Sequence, residues 1–374
     1  MNIDTVRFSH ILEADQLYDL NDFFAHTAFV ISHKSERLET LLGVIWYLPI
    51  NSPILIVTNC SEIEKEALTR ELTLRLTHRQ VYLIHQKDEL VARFFDRQGV
   101  QAILGCDGKV RNGKGEGMYI GALFAALLTT PRWLVFYDAD NFVPNALLEY
   151  TLAMSKLFLQ EQSSRLPERA DSLYLHNVRI CWSSKPSLGS KELTAGLVGR
   201  CTRMVSPLMD SLVQTWFGSH HQPIISSNAG EQGFTMETIQ RLQFSSGYSV
   251  ETFQQLDLFS HALSAHNYQS GRVVFQQYQA QSPHFHEKGD EEHIRRMIAE
   301  SLGCFALFPQ LLTPTLEQQL ETLYTEMELT PREPIVYPAL QTLCINAHEL
   351  SAQHYRLREP IAFYAGNEQE ELCG

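Results

Sequence analysis

Four runs of uninterrupted apolar residues punctuate the first 140 positions: "HTAFVIS" (26–32), "SPILIVTNC" (52–60), "QVYLIHQ" (80–86) and "RWLVFY" (132–137). The segments between them have helical spacing. In "ERLETLLGVIWYL" (36–48), Leu38, Leu41, Leu42, Ile45 and Trp46 share one face. "EIEKEALTRELTLRL" (62–76) carries acids early and bases late, which suits the helix dipole. "DELVARFFDRQ" (88–98) and "YIGALFAALL" (119–128) predict two further helices. Strands that are apolar throughout, alternating with helices, predict an α/β fold with a mostly parallel central sheet covered on both faces.

The second half is less regular. "DSLYLHNVRICW" (171–182) predicts one or two strands, "TMETIQRLQ" (235–243) a short helix and "RVVFQQYQAQ" (272–281) a strand. Residues 157–170 read as a helix end and a loop. From Asp290 to about Leu350 the pattern is mostly helical, with breaks near Pro309, Pro314 and Pro331 to Pro338. Residues 1–26 read as an N-terminal extension with some helix.

The 374 residues carry a formal net charge of -13, which argues against a general nucleic-acid or anionic-membrane binder. A small anionic substrate needs only a local basic cluster and stays open. Seven scattered cysteines, none at metal-ligand spacing, predict reduced thiols in a cytoplasmic protein. The first twenty residues are too polar for a signal peptide, and no apolar run is long enough to span a membrane.

Four motifs carry candidate chemistry. In "LVFYDADNFVP" (134–144), Asp138 and Asp140 follow an apolar strand with only Ala139 between them. Two buried carboxylates this close need a cation or a proton to offset them. Mg²⁺ is commonly held by one or two carboxylates plus substrate phosphates, and ligands of open α/β sheets bind beyond the carboxyl ends of the strands. A solvated loop or a helix cap is the plainer alternative. In "VRNGKGEGM" (110–118), Gly113, Gly115 and Gly117 let the backbone approach a ligand, Arg111 and Lys114 add charge, and a helix follows. In "SPHFHEKG" (282–289), His284 and His286 point to one side if extended, as ligands of a borderline metal or as ordinary loop histidines. In "SSNAGEQGFTMET" (226–238), Asn228 and Glu231 sit in a small-residue turn, where the acid either caps a helix or binds sugar hydroxyls.

Taken in order, "VISHKSE", "HQKD", "VRNGKGEGM", "DADNFVP", "SNAGEQGFTM", "SGYSVE" and "SPHFHEKGDEEHIRRM" resemble the mannosyl-3-phosphoglycerate synthase family over roughly residues 27 to 305. The resemblance implies a GT-A-type nucleotide-diphospho-sugar transferase fold. The implied layout is a catalytic domain at 27–290, with a nucleotide-binding half (27–141) and an acceptor-binding half (142–290), and a helical region at 291–374. It implies transfer of mannose from GDP-mannose to the 2-hydroxyl of 3-phosphoglycerate, with retention. A divalent metal (Mg²⁺ or Mn²⁺, with Co²⁺, Ni²⁺ or Zn²⁺ as other options) would sit on Asp138, Asp140 and His284 or His286. Lys34, Glu36, Gln86 and Lys87 would lie near the nucleotide, with Gly113 and Gly115 beside them. Lys114 and Glu116 would approach the diphosphate and the transferred sugar. The acceptor's carboxylate and phosphate call for basic groups, and Arg179, Lys185, Arg200 and Arg203 are candidates, with Asn228 and Glu231 nearby. Another donor (GDP-glucose or UDP-glucose), another small acidic acceptor, or a silent nucleotide-sugar binder are the competing readings. Family members are often homodimers. The chain departs from the family at Ser32, where proline is usual, and across 182–205.

Overall fold

The computed structural model describes residues 2–7, 17–164, 173–184, 187–188, 193–194, 198–218, 221–268, 271–285 and 290–358. Strand β1 (Asn2–Arg7) and helix α1 (Leu17–Ala25) come first. Strand and helix then alternate: β2 (Thr27–His33), α2 (Leu38–Trp46), β3 (Ile54–Thr58), α3 (Glu62–Arg75), β4 (Val81–His85), α4 (Glu89–Arg97), α5 (Lys114–Leu127) and β5 (Trp133–Asp138). Next come α6 (Ala146–Ser164), β6 (Leu173–Cys181), the short β7 (Ser187–Leu188) and β8 (Leu193–Thr194), and α7 (Arg200–Phe217). The remainder is β9 (Gln232–Thr235), α8 (Met236–Arg241), β10 (Phe244–Ser245), α9 (Val250–Tyr268), β11 (Gly271–Gln279), α10 (Glu291–Gly303), α11 (Pro314–Glu326) and β12 (Val336–Tyr337).

Among the described residues, eight strands form one sheet in the order β1-β11-β6-β9-β5-β2-β3-β4. β9 runs antiparallel to both its neighbours, β5 and β6, and the other pairings in the sheet are parallel. Alternation along each strand feeds two cores. Phe29, Ile31, Ile54, Ile56, Val135 and Tyr137 pack on one face with Leu41, Ile45, Leu72 and Leu157 of α2, α3 and α6. Val30, Leu55, Phe136 and Phe275 pack on the other with Leu123 of α5, Met209 of α7 and Phe259 of α9. Each such side chain, fully removed from water, contributes roughly 1.5–3 kcal/mol, so burial on both faces explains why these strands carry no polar alternation.

The mostly parallel α/β sheet expected from the apolar runs is present. Three elements were not legible. Residues 2–7 form a sheet strand paired with β11, although α1 supplies the helix expected near the N-terminus. β9 lies in what reads as a turn, and α9 is a long helix. Among the described residues, no helix is long and apolar enough to cross a membrane. The described cysteines are free.

Candidate active site

β5 ends at Asp138, level with Ser32 of β2, and the Ala139 N–H donates to Ser32 O at 3.2 Å. This fixes the Asp-x-Asp stretch at the carboxyl edge of the parallel strands. The opposing charge comes from Lys114, whose Nζ donates to Asp138 Oδ2 at 2.7 Å and to Glu251 Oε1 at 2.6 Å. Lys114 is the first residue of α5 rather than part of a loop. Burial opposes its charge, but the Asp138 and Glu251 carboxylates hold its pKa well above the usual lysine value. Burial pushes the Asp138 carboxyl up, and Asp140 and Glu251 add to this against the pull of Lys114. Gly230 lies against the same pair, where a Cβ would collide with Asp138 Oδ2, so the turn at 230 has room only for glycine.

Asp140 meets a histidine from the far end of the sheet. His284 Nε2 is 3.9 Å from Asp140 Oδ1, and its Nδ1 is 3.4 Å from Glu231 Oε1. The imidazole is 2 % exposed and stacks on Trp182 with centroids 4.6 Å apart. Local hydrogen bonds hold it there. Phe142 N–H donates to Phe285 O at 2.7 Å, Phe285 N–H to Asn141 Oδ1, and His284 N–H to Ser184 O. Upstream, the Glu149 carboxylate of α6 accepts from Gln281 N–H, Ser282 N–H and Tyr278 O–H. His286 lies outside the described residues.

Asp140 and His284 are the two groups here that could hold a divalent cation. Asp138, Asp140, Glu231 and Glu251 bring four carboxylates together, against the ammonium of Lys114. The Asp140–His284 gap is too wide for a hydrogen bond and within about twice a typical metal–ligand length of 2.0–2.2 Å. Glu231 stands behind Nδ1, the carboxylate–histidine order common at metal sites. Among the described residues, no group of three or more His, Cys, Asp or Glu is placed to hold a metal ion.

The glycine turn is built for packing. A Cβ on Gly115 would collide with Ser245 O, and one on Gly113 with Glu116 Oε2. What these glycines admit is the backbone of 245–247. Glu116, expected near the sugar, is 1 % exposed; its Oε2 accepts from Gly247 N–H and its Oε1 from Tyr337 O–H at 2.7 Å. Gln86 is buried and donates to Arg111 O and Gly113 O, pinning the same turn. Lys87 lies 3.8 Å from Asp107 Oδ2. Lys34 is exposed, and its N–H donates to Glu36 Oε2 at 2.6 Å.

Of the expected acceptor groups, Arg179 is fully buried. Its guanidinium is 0 % exposed and donates to Asn177 Oδ1, Ser226 O, Ser227 O and Glu251 O. Burial pushes its pKa down to about 10. It is a tie between β6, the 226–227 turn and α9. Asn228 is likewise engaged: its amide donates to Thr252 Oγ1 and Ser301 Oγ. Arg200, the first residue of α7, is half-buried and paired with Glu291 of α10. It adjoins a small open cleft lined by Trp182, Gly199, Thr202, Ser226 and Ala229. Arg203 is exposed and Lys185 lies outside the described residues. Sequence reasoning missed Glu251, the second carboxylate on Lys114; the only signal was its place in "SGYSVE".

The family model described as Mannosyl-3-phosphoglycerate synthase matches residues 4–351. The mannosyl-3-phosphoglycerate synthase of Pyrococcus furiosus is 30% identical over 293 residues, 75% of this chain and 72% of that protein. That of Aeropyrum pernix is 28% identical over 297 residues, 76% and 73% of the two chains. In backbone the chain is similar to the glucosyl-3-phosphoglycerate synthase of Mycobacterium tuberculosis solved with Mn²⁺, UDP-glucose and glycerol 3-phosphate. The TM-score is 0.50 at 14% identity, covering 90% of this chain and 98% of that one. That likeness concerns the fold, and it agrees with the GT-A-type α/β architecture expected above. The chain is a glycosyltransferase and belongs to the mannosyl-3-phosphoglycerate synthase family.

Proposed function

We propose that this chain moves mannose from GDP-mannose to 3-phosphoglycerate, with retention and with a divalent cation. Family membership supports the sugar and the acceptor. The observation that carries the chemistry is the meeting of Asp140 and His284, 3.9 Å apart, beside the Lys114–Asp138–Glu251 cluster at the carboxyl edge of β5.

Asp140 and His284 would hold the cation, with donor phosphate oxygens filling the rest of its coordination. When bound, the cation supplies positive charge against the leaving diphosphate. The protein's own work is positioning. Lys114 fixes Asp138 from below, and Glu251 fixes Lys114 in turn, so the polar groups facing the donor are set before it arrives. Such pre-set groups act without reorganisation as charge develops. His284 is held at one orientation by Trp182 and Glu231. On the acceptor side, Arg200 at the start of α7 offers a guanidinium and a helix N-terminus together, both suited to a phosphate or a carboxylate. The Arg200–Glu291 pair would exchange for Arg200–acceptor. Holding the acceptor's hydroxyl against the anomeric carbon is then the main gain in rate.

Initial rates with GDP-mannose, GDP-glucose and UDP-glucose, each with 3-phosphoglycerate and with or without Mn²⁺, test this directly. The expected result is a mannosylated phosphoglycerate formed only with metal. Turnover with a glucose donor alone would reject the donor, and metal-independent turnover would reject the cation.

A further inference from the structure

The segment around β12 lies far along the chain from the sheet edge, yet it reaches the active-site turn. Tyr337 is 0 % exposed, and its hydroxyl donates to Glu116 Oε1 at 2.7 Å. Burial and the Glu116 carboxylate keep that phenol protonated, and so a donor. The other Glu116 oxygen accepts from Gly247 N–H at 3.0 Å. Three further contacts lock the junction. Tyr119 of α5 donates to Pro338 O at 2.6 Å, the Tyr119 and Tyr337 rings stack 5.8 Å apart, and β12 pairs with β10. Glu116 stands two residues after Lys114, in the same first turn of α5. Gly247, its second partner, stands four residues before Glu251, the other carboxylate on Lys114. One buried carboxylate thus ties the first turn of α5, which carries Lys114, to the segment that leads into Glu251.

We propose that Glu116 and Tyr337 are positioning residues: a buried post from the C-terminal segment that sets the first turn of α5, and with it Lys114, against Asp138 and Glu251. The proposal rests on the active-site reading of Lys114 given above. It adds that a segment outside the sheet contributes to transfer without touching either substrate. Taking away the Tyr337 hydroxyl leaves a buried carboxylate oxygen without its donor, a loss that the turn relieves only by shifting. A shift at that point moves the ammonium, and small misplacements of this kind act on rate more than on binding.

The test is a double-mutant cycle on the full chain between Tyr337→Phe and Lys114→Arg, reading kcat and both KM values, with thermal melts alongside. Tyr337→Phe is expected to fold and to lose about tenfold in kcat, with both KM values within about twofold. In the Lys114→Arg background, which has already lost the set position, Tyr337→Phe is expected to cost almost nothing more. Unchanged kcat in Tyr337→Phe, or a full additional loss in the double variant, overturns the proposal. Lys114→Arg at parental turnover overturns the reading of Lys114 itself, and the post falls with it. If Tyr337→Phe does not fold, Glu116→Gln takes its place in the same cycle, with the same expected and contrary results.

Discussion

Replacing Lys114 by methionine keeps the length and shape of the side chain and deletes its charge. In the parent, the Lys114 and Glu251 side chains are 15 % and 6 % exposed, and Asp138 is 24 % exposed. Both carboxylates reach the same nitrogen, at 2.7 and 2.6 Å. Without it, two anions face each other across a few ångströms of protein. Removing one partner of a buried ion pair typically costs about 3–5 kcal/mol. Domains of ordinary stability hold about 5–15 kcal/mol, so the variant is expected to fold but to unfold at clearly lower urea. If a divalent cation sits beside these carboxylates, Mn²⁺ should restore stability to the variant more than it adds to the parent. Binding to the folded state at 100-fold over Kd is worth about 2.7 kcal/mol. Urea denaturation with and without Mn²⁺ reads both effects, and turnover is expected to fall by about 10²–10³. A variant within about 0.5 kcal/mol of the parent, with parental turnover, would refute the view of Lys114 as a buried counter-charge.

Three further outcomes follow from the same geometry. Gly230→Ala would drive a methyl into Asp138 Oδ2; turnover should drop at least about tenfold for a shift of this kind with far-UV circular dichroism unchanged, and parental turnover would show that the turn yields freely. Arg179→Met should lower stability by about 3–5 kcal/mol, because buried carbonyls lose their donor; a normal melt with a raised KM for the acceptor would restore it to the acceptor site. His176 is buried between Tyr174 and Gln276, and burial lowers its pKa from 6.5 to about 4. The unfolded chain therefore binds the proton first, so this stability is present above pH 6.5 and is lost as pH falls toward 4, by up to about 3 kcal/mol. His176→Phe should flatten the stability profile in that window, and a slope that survives the substitution would locate the titration elsewhere.

Much of the first half of the chain was legible because its strands are buried on both faces. β2, β3, β4 and β5 are continuous apolar runs, and nothing competes with that reading. β9 was hidden because it has four residues, Gln232 to Thr235, with one large apolar side chain among them. α9 was hidden for another reason. Thr252, Gln254, Gln255 and Asp257 are all buried in it, so it has no polar face to give the helical period. The site divides in the same way. Asp138, Asp140, Lys114 and His284 stand in motifs whose residue types signal charge or metal. Glu251 and Tyr337 act through contacts spanning more than a hundred residues, which no local pattern encodes. Arg179 read as an acceptor group because a phosphate and a carboxylate call for basic side chains, whereas in the fold its guanidinium donates to Asn177 Oδ1 and to three backbone carbonyls.

A cation held between the Asp-x-Asp edge and His284 is open to direct observation. Anomalous diffraction from crystals grown with Mn²⁺ and GDP-mannose tests it most directly. One Mn²⁺ peak is expected within roughly 2.0–2.3 Å of both Asp140 and His284 Nε2, touching the diphosphate. A peak bound elsewhere, or a donor seated with no ion at those two side chains, would contradict it.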